Sequence, residues 1–478
     1  MTTIISFVLD NHIVDIDFNS DRRYVPTTTV LNYLRSLPGH KGTKEGCAEG
    51  DCGACTVVLA ELNSKRQLVY RAVDSCLLLL PMLHGKQLIT VENLKSPAGI
   101  LHPVQQAMVD TAGSQCGFCT PGIVMSLFAL YKSVDQPNRD QIEEYLGGNL
   151  CRCTGYQPII AAAEKSCGQK TDDHFKKSEA ETDILLRKMA RPTFALEREG
   201  RSYYRPQSTK EALHFRRHHP QALVINGATD VALRLTKNFE DLTDVLDLSA
   251  VSDLNYIHQN DHTTTIGSGT SLSKLRNFSV QGFPALNGLL AVFGSLQIRN
   301  MATIGGNLSS ASPIGDLTPY LMACKADIVL ESEEGIRTVS VMDFITGYRA
   351  TDCKPNELVT GIVIPFVREP KHLRFYKISK RLDLDISTVS GGFLLHTGDD
   401  NIVKSIILAF GGMAAQTKCA EKTEHFFNGK EWTRENVYAA LPLLDQDFSP
   451  ITDARSGANG RRQAAQNLLI KFWSETAG

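Results

Sequence analysis

Apolar and polar residues alternate through the opening of the chain: Ile5, Phe7 and Leu9, then Ile13, Ile16 and Phe18 beyond Asp10-Asn11. Alternation with period two marks a strand with one buried face, so the two runs and the polar pair between them predict a hairpin. Val30, Leu31, Leu34 and Leu37 follow at helical spacing. Thr27 to Thr29 can cap that helix, and Pro38-Gly39 ends it. After a cysteine-bearing loop, TVVLAEL and RQLVYRAV flank the turn NSK and predict two more strands, which makes a small mixed sheet with one helix. From about Leu101 the pattern turns helical in HPVQQAMVDTA, TPGIVMSLFALYKS, NRDQIEEYL and GYQPIIAAAEK, with cysteine pairs between the helices.

From about Gly168 to Arg201 the chain is dense in mixed charge and poor in aromatics, as expected of a solvated linker. Strands, glycine turns and helices alternate beyond it. A last segment from about Lys371 carries ISTVSGGFLLH and IVKSIILAFGGM as strands, then helices. With 478 residues the chain has room for several domains, each with its own core. The expected fold class is a multidomain α+β chain with borders at 1–88, 89–168, a linker 169–200, 201–370 and 371–478.

Charge adds an exclusion. A formal net charge of -2 supplies no global basic field for nucleic acid. Leu77 to Leu83, the most apolar short stretch, is broken by Pro81 and far too short to span a bilayer. The alternating, acid-bearing N-terminus does not read as an export signal, so a reducing, cytoplasmic setting is the expectation.

Cysteine changes the picture. Of 12 cysteines, eight lie in the first third of the chain: Cys47, Cys52, Cys55, Cys76, Cys116, Cys119, Cys151 and Cys153. In a reducing compartment such crowding points to metal rather than to disulfides. Cys167, Cys324, Cys353 and Cys419 stand singly and are given no role. The first group has the plant-type ferredoxin spacing for a 2Fe-2S cluster: Cys47-x4-Cys52-x2-Cys55, then Cys76. Gly46, Gly50 and Gly53 let the loop wrap the irons and bring N–H groups to sulfur. The second group, Cys116-x2-Cys119 and Cys151-x-Cys153, precedes two helices. Thr120 is the expected N-cap of the first with Pro121 in its first turn, and Thr154 and Pro158 open the second. Their positive ends would stabilise the net negative charge of four thiolates on a 2Fe-2S core. A zinc site remains an alternative for either group, more so for the second.

GCAEGDCGAC, CGFCTPGIVMS and GGNLCRCTGYQPI, in this order and spacing, resemble the two-cluster domains of the molybdenum hydroxylases, the family of xanthine dehydrogenase and aldehyde oxidase. The resemblance implies a β-grasp ferredoxin domain and a four-helix domain, with Cys47, Cys52, Cys55 and Cys76 on one cluster and Cys116, Cys119, Cys151 and Cys153 on the other. Downstream, ALVINGATD and NMATIGGNLSSASPIGD offer bare backbone N–H groups and hydroxyls suited to a pyrophosphate. Placed after two iron-sulfur domains, they resemble the FAD domain of the same family. By that resemblance Leu223, Val224, Ile225, Asn226, Gly227, Ala228, Thr229 and Asp230, with Thr303, Ile304, Gly305, Gly306 and Asn307, hold the FAD phosphates and ribityl chain. Phe293 lies over the isoalloxazine, and Asp316, Val359 and Lys377 line the site. One departure is Leu384, where related enzymes carry an acid near the flavin.

The chain ends after the flavin region, so the expectation is the small, iron-sulfur and FAD subunit of a two-chain xanthine dehydrogenase. A large molybdopterin-binding partner is implied, in a heterotetramer of two small and two large chains. Electrons would pass from molybdenum through both clusters to FAD and then NAD, and no side chain of this subunit need act catalytically. The alternatives are a reductase subunit of another molybdenum hydroxylase, acting on aldehydes or N-heterocycles, and a non-catalytic electron carrier.

Overall fold

The structure is a computed structural model that describes every residue except Met1, Ser64, Gln169, Ala190, Arg191, 367–371, Asp383 and Gly478. The chain divides into two compact units. One comprises Met1–Ser208, Gln221–Ala250 and Ser295–Ala302; the other comprises Thr209–Pro220, Val251–Gly294 and Thr303–Gly478.

The first unit opens on the expected hairpin, β1 (Ile4–Leu9) and β2 (His12–Asp17), then α1 (Val30–Ser36), β3 (Thr56–Leu62), β4 (Leu68–Asp74) and β5 (Gln87–Ile89). These strands form a five-stranded sheet in the order β2-β1-β5-β3-β4, with β1 and β5 parallel at its centre and α1 packed on its core, a β-grasp arrangement. Thr29 caps α1 by accepting the Asn32 N–H at 3.2 Å. Four helices follow: α2 (Pro103–Asp110), α3 (Thr120–Ser133), α4 (Arg139–Leu146) and α5 (Gln157–Gly168). Their apolar faces meet around Ile123, Leu127, Phe128, Ile159 and Ala163, all buried.

The expected linker is not structureless. It folds as α6 (His174–Lys177), α7 (Glu179–Lys188) and β6 (Phe194–Arg198). Its charges conceal Phe175, Leu186 and Met189, which are buried, and the buried Asp173 accepts from both Lys132 (3.1 Å) and His102 (3.1 Å). A few well-placed apolar residues outweigh the charged composition here. A second sheet joins β6 to β7 (Arg201–Arg205), β8 (Leu223–Ile225) and β9 (Asp244–Asp247) in the order β6-β7-β9-β8. Phe194, Leu196, Tyr203, Ile225 and Val245 from this sheet share one core with Ile5, Phe7 and Phe18. The compact units therefore cut through the expected 201–370 segment, and the expected 370/371 border lies outside the described residues.

In the second unit a five-stranded antiparallel sheet runs from Ile257–Gln259 through Thr263–Gly267, Leu358–Pro365 and Asp327–Ser332 to Gly335–Ser340. A four-stranded antiparallel sheet (His372–Ile378, Val389–Thr397, Val403–Gly411, Lys418–Cys419) packs with helices Arg434–Asp447 and Ala458–Thr476 over Phe393, Phe410, Trp432 and Phe472. Within it Glu424 Oε1 accepts the Leu408 N–H at 2.7 Å, and burial pushes the Glu424 carboxyl up from its ordinary value of 4.5 to about 7. The folded chain thus keeps a proton that the unfolded chain has released, so stability falls as pH rises from 4.5 through 7. In denaturant titrations at pH 5 and pH 8, Glu424→Gln is expected to remove about 2–3 kcal/mol of that fall. An unchanged pH dependence would contradict this assignment. Among the described residues no helix is long and apolar enough to cross a membrane.

Candidate functional site

The first cysteine loop lies just before β3. Cys47 Sγ accepts N–H groups from Glu49 (3.4 Å), Asp51 (3.3 Å) and Cys52 (3.3 Å), while the Cys47 N–H points at Cys52 Sγ (3.3 Å). The Cys52 thiol and these N–H groups hold the Cys47 thiol down at about 5 despite burial, and the Cys52 thiol is raised in turn. Gly50 (φ 76°) and Gly53 (φ 67°) take the left-handed backbone that such a wrap requires. A Cβ on Gly46 would sit 2.7 Å from Cys52 Sγ, so the backbone closes directly onto sulfur.

The register of the β3–β4 hairpin supplies the other half. Thr56 pairs with Asp74, which brings Cys55 opposite the segment that carries Cys76. Their Sγ atoms are 3.4 Å apart and both residues are buried. Cys76 and then burial push the Cys55 thiol up. Asp74 accepts from Cys55 Sγ (3.5 Å), and burial lifts its carboxyl to about 8.

The second group is built on two helix starts, Cys116 and Cys119 before α3 and Cys151 and Cys153 before α5. The free thiols of Cys116 and Cys153 neighbour one another, as do those of Cys119 and Cys151. The N–H of Phe118, then Cys153, lowers the Cys116 thiol, and the Lys44 ammonium, bonded to Gly117 O at 2.9 Å, adds to this. Cys116 and Cys153 are exposed. Two expected caps differ. Cys119, not Thr120, is the N-cap of α3, and Thr120 lies in the first turn with its hydroxyl on Ser114 Oγ (2.7 Å). Thr154 stays in the loop before α5, where its hydroxyl lies 3.1 Å from Cys151 Sγ and accepts the N–H of Tyr156 (3.2 Å), just ahead of the helix.

All eight sulfurs thus come together in twos: 47 with 52, 55 with 76, 116 with 153, 119 with 151. Among the described residues no three Cys, His, Asp or Glu side chains are arranged to hold a single metal ion. Donors in twos fit a two-iron cluster, in which four cysteines are shared between two metals.

The segment from Leu223 to Asp230 runs from β8 through a turn toward the helix Ala232–Thr236 in the first unit. Ala228 adopts φ 58°, and a Cβ on Gly227 would lie 1.9 Å from Met301 O. The N–H groups of Gly227, Ala228 and Thr229 donate to no other group among the described residues. Successive N–H groups around a left-handed residue form a concave anion site.

Residues 303–307 belong to the second unit and behave differently. Thr303 caps the short helix Ile304–Ser309. The N–H groups expected to be bare are committed: Ile304 to Thr270 O (3.1 Å), Gly305 to Ser268 O (2.9 Å), Gly306 to Thr303 Oγ1 (3.1 Å) and Asn307 to Thr303 O (3.0 Å). What remains for a polar ligand there is side-chain polarity: the Thr303 hydroxyl and the Asn307 amide, whose buried Oδ1 has no hydrogen-bond partner among the described residues. In the same unit the Lys377 side chain is buried. Its Nζ donates to Asp316 Oδ2 (3.0 Å) and Val292 O (3.0 Å), and Asp316 Oδ1 accepts from Ser387 (2.5 Å). Val359 is buried in its strand and Phe293 is half-buried. Leu384 adopts φ 65° in the loop after the strand His372–Ile378. Sequence reasoning missed the buried Asn149 and Gln297: Asn149 lies within GGNLCRCTGYQPI but drew no role beside the cysteines, and Gln297 lies outside every motif.

Residues 90–164 match a [2Fe-2S] binding domain, residues 194–367 the FAD binding domain in molybdopterin dehydrogenase, and residues 374–476 the CO dehydrogenase flavoprotein C-terminal domain. Xanthine dehydrogenase 1 of Arabidopsis thaliana is 33% identical over 95% of the chain and 39% of its own length. Aldehyde oxidase of Homo sapiens is 28% identical over 95% and 38%. The chain therefore spans less than two fifths of these relatives. Among solved structures, carbon monoxide dehydrogenase from Hydrogenophaga pseudoflava superposes with a TM-score of 0.53 at 24% identity, over 56% of this chain and 93% of that one, which shows the shared fold. Three such domains in series define an iron-sulfur flavoprotein. The chain belongs to the molybdenum hydroxylase family.

Proposed function

We propose that the chain is the electron-transfer part of a xanthine dehydrogenase, linking a molybdenum centre on a large partner chain to NAD during oxidation of hypoxanthine and xanthine to urate. The observation that carries this reading is the gathering of eight cysteine sulfurs into four pairs on two loop systems. When bound, the 2Fe-2S clusters relay single electrons, and FAD collects two and gives a hydride to NAD.

The residues contribute holding and tuning. Cys47, Cys52, Cys55 and Cys76 hold the ferredoxin-type cluster; Cys116, Cys119, Cys151 and Cys153 hold the other. N–H groups aimed at Cys47 favour charge on sulfur. In the first unit the N–H groups of 227–229 suit FAD phosphate; in the second, Thr303 and Asn307 offer side-chain rather than backbone polarity for FAD. Phe293, Asp316, Val359 and Lys377 line the flavin, with Asp316 keeping the Lys377 charge compensated. Exposed Ile100, Val109 and Phe118, with a cleft lined by Leu101, Met108 and Pro121, flank the exposed Cys116 segment and suit the large chain. Two such pairs make the proposed heterotetramer, and the setting is the cytoplasm.

Purified chain is expected to be brown, with FAD and two 2Fe-2S clusters, and to bleach with NADH. A colourless, zinc-loaded protein would overturn the reading. The 28% identity to an aldehyde oxidase favours a second reading, oxidation of aldehydes or N-heterocycles through the same relay. Turnover of hypoxanthine and xanthine against aldehydes and nicotinate by the assembled complex separates the two.

A further inference from the structure

Between the two cysteine loops of the first unit lies one fully engaged side chain. Asn149 is 1% exposed and sits two residues before Cys151. Its Nδ2 donates to Gly53 O (3.0 Å) and Thr56 Oγ1 (3.1 Å), on the segment that carries Cys52 and Cys55. Its Oδ1 accepts from Ser126 Oγ (2.5 Å) and from Gln297 Nε2 (3.0 Å), and Gln297 itself is 0% exposed. The next residue, Leu150, donates its N–H to Cys52 O at 3.0 Å. Cys52 and Cys151 are thus joined by covalent bonds and one hydrogen bond.

Nothing else fits into this junction. A Cβ on Gly53 would lie 2.2 Å from Gly148 O, one on Gly148 2.1 Å from Gln297 Oε1, and one on Gly122 2.1 Å from Gly53 O. A single backbone hydrogen bond contributes only about 1 kcal/mol net and cannot by itself fix two loops. The four bonds of a buried amide can, because parting the loops would leave several polar groups dry and unpaired.

We propose that Asn149 is a positioning residue that holds the Cys52 and Cys151 loops in register, so that an electron crosses between them through the Cys52–Leu150 hydrogen bond. This rests on both loops holding 2Fe-2S clusters. The step moves one electron from one cluster to the other and needs no further oxidant or reductant. Electronic coupling falls steeply with separation, so the junction sets how strongly the two centres sense each other.

The test uses the full chain with both clusters loaded, reduced by dithionite and examined by low-temperature electron paramagnetic resonance. Wild type is expected to show two signals with magnetic splitting between them. Asn149→Ala is expected to keep two signals with their own g values and lose the splitting; Asn149→Asp, which keeps the acceptor but cannot donate to Gly53 O, is expected to lose it as well. A merely structural role would lower cluster content and melting temperature while leaving the splitting intact in the loaded fraction, and that result overturns the proposal. So does a wild type with two signals and no splitting. Fewer than two signals in wild type would instead sink the cluster reading. If Asn149→Ala does not load both clusters, Ser126→Ala, which removes one of the two donors to Oδ1, is expected to weaken the splitting, and an unchanged splitting there also overturns the proposal.

Discussion

Gly53→Ala is expected to unfold the cysteine region of the first unit at a temperature well below that of the parent. The new Cβ would meet Gly148 O at 2.2 Å and Asn149 Nδ2 at 2.5 Å, and the backbone at φ 67° already disfavours any side chain. Overpacking costs about 1–3 kcal/mol and a left-handed alanine about 1–2 more, so the loss is about 2–5 kcal/mol. Because the obstructing atoms belong to the loop before Cys151, both cysteine groups should be disturbed by a residue that belongs to one. Iron content and melting temperature of the full chain check this. Retention of both clusters with a melting temperature within a degree or two of the parent would contradict it.

Lys377→Met is expected to cost about 3 kcal/mol, the usual penalty for stripping one partner from a buried ion pair. Lys377 and Asp316 expose only 5% and 7% of their side chains, so water cannot take the place of the lost ammonium. The second substitution, Asp316→Asn, should recover most of the loss in the double variant, because the stranded charge is the larger part of the penalty. Chemical denaturation of the two single variants and the double variant measures the coupling directly. Additive losses would show that the two residues act independently.

The local pieces were legible wherever physics acts over a few residues. The hairpin at Asp10-Asn11, the cap at Thr29 and the strand Thr56–Leu62 appear where periodicity and capping chemistry put them. Reading failed where a local preference met a tertiary demand. Composition marked 169–200 as solvated, yet Phe175, Leu186 and Met189 find a core to enter. Thr120 has the chemistry of an N-cap, but Cys119 takes that position. The glycines at 305 and 306 promised bare N–H groups, and partners distant in sequence, Thr270 and Ser268, claimed those of Ile304 and Gly305.

Sequence by itself determined the inventory: eight thiols at fixed intervals, the helices and strands between them, and the glycines that let loops turn. Spacing and periodicity are properties of neighbouring residues, so they survive without a fold. Only the tertiary structure decided which sulfur meets which, that Lys377 is buried against Asp316, and that Asn149 joins two loops nearly a hundred residues apart. Such contacts exist only after burial removes water as the competing partner, and no local pattern encodes them.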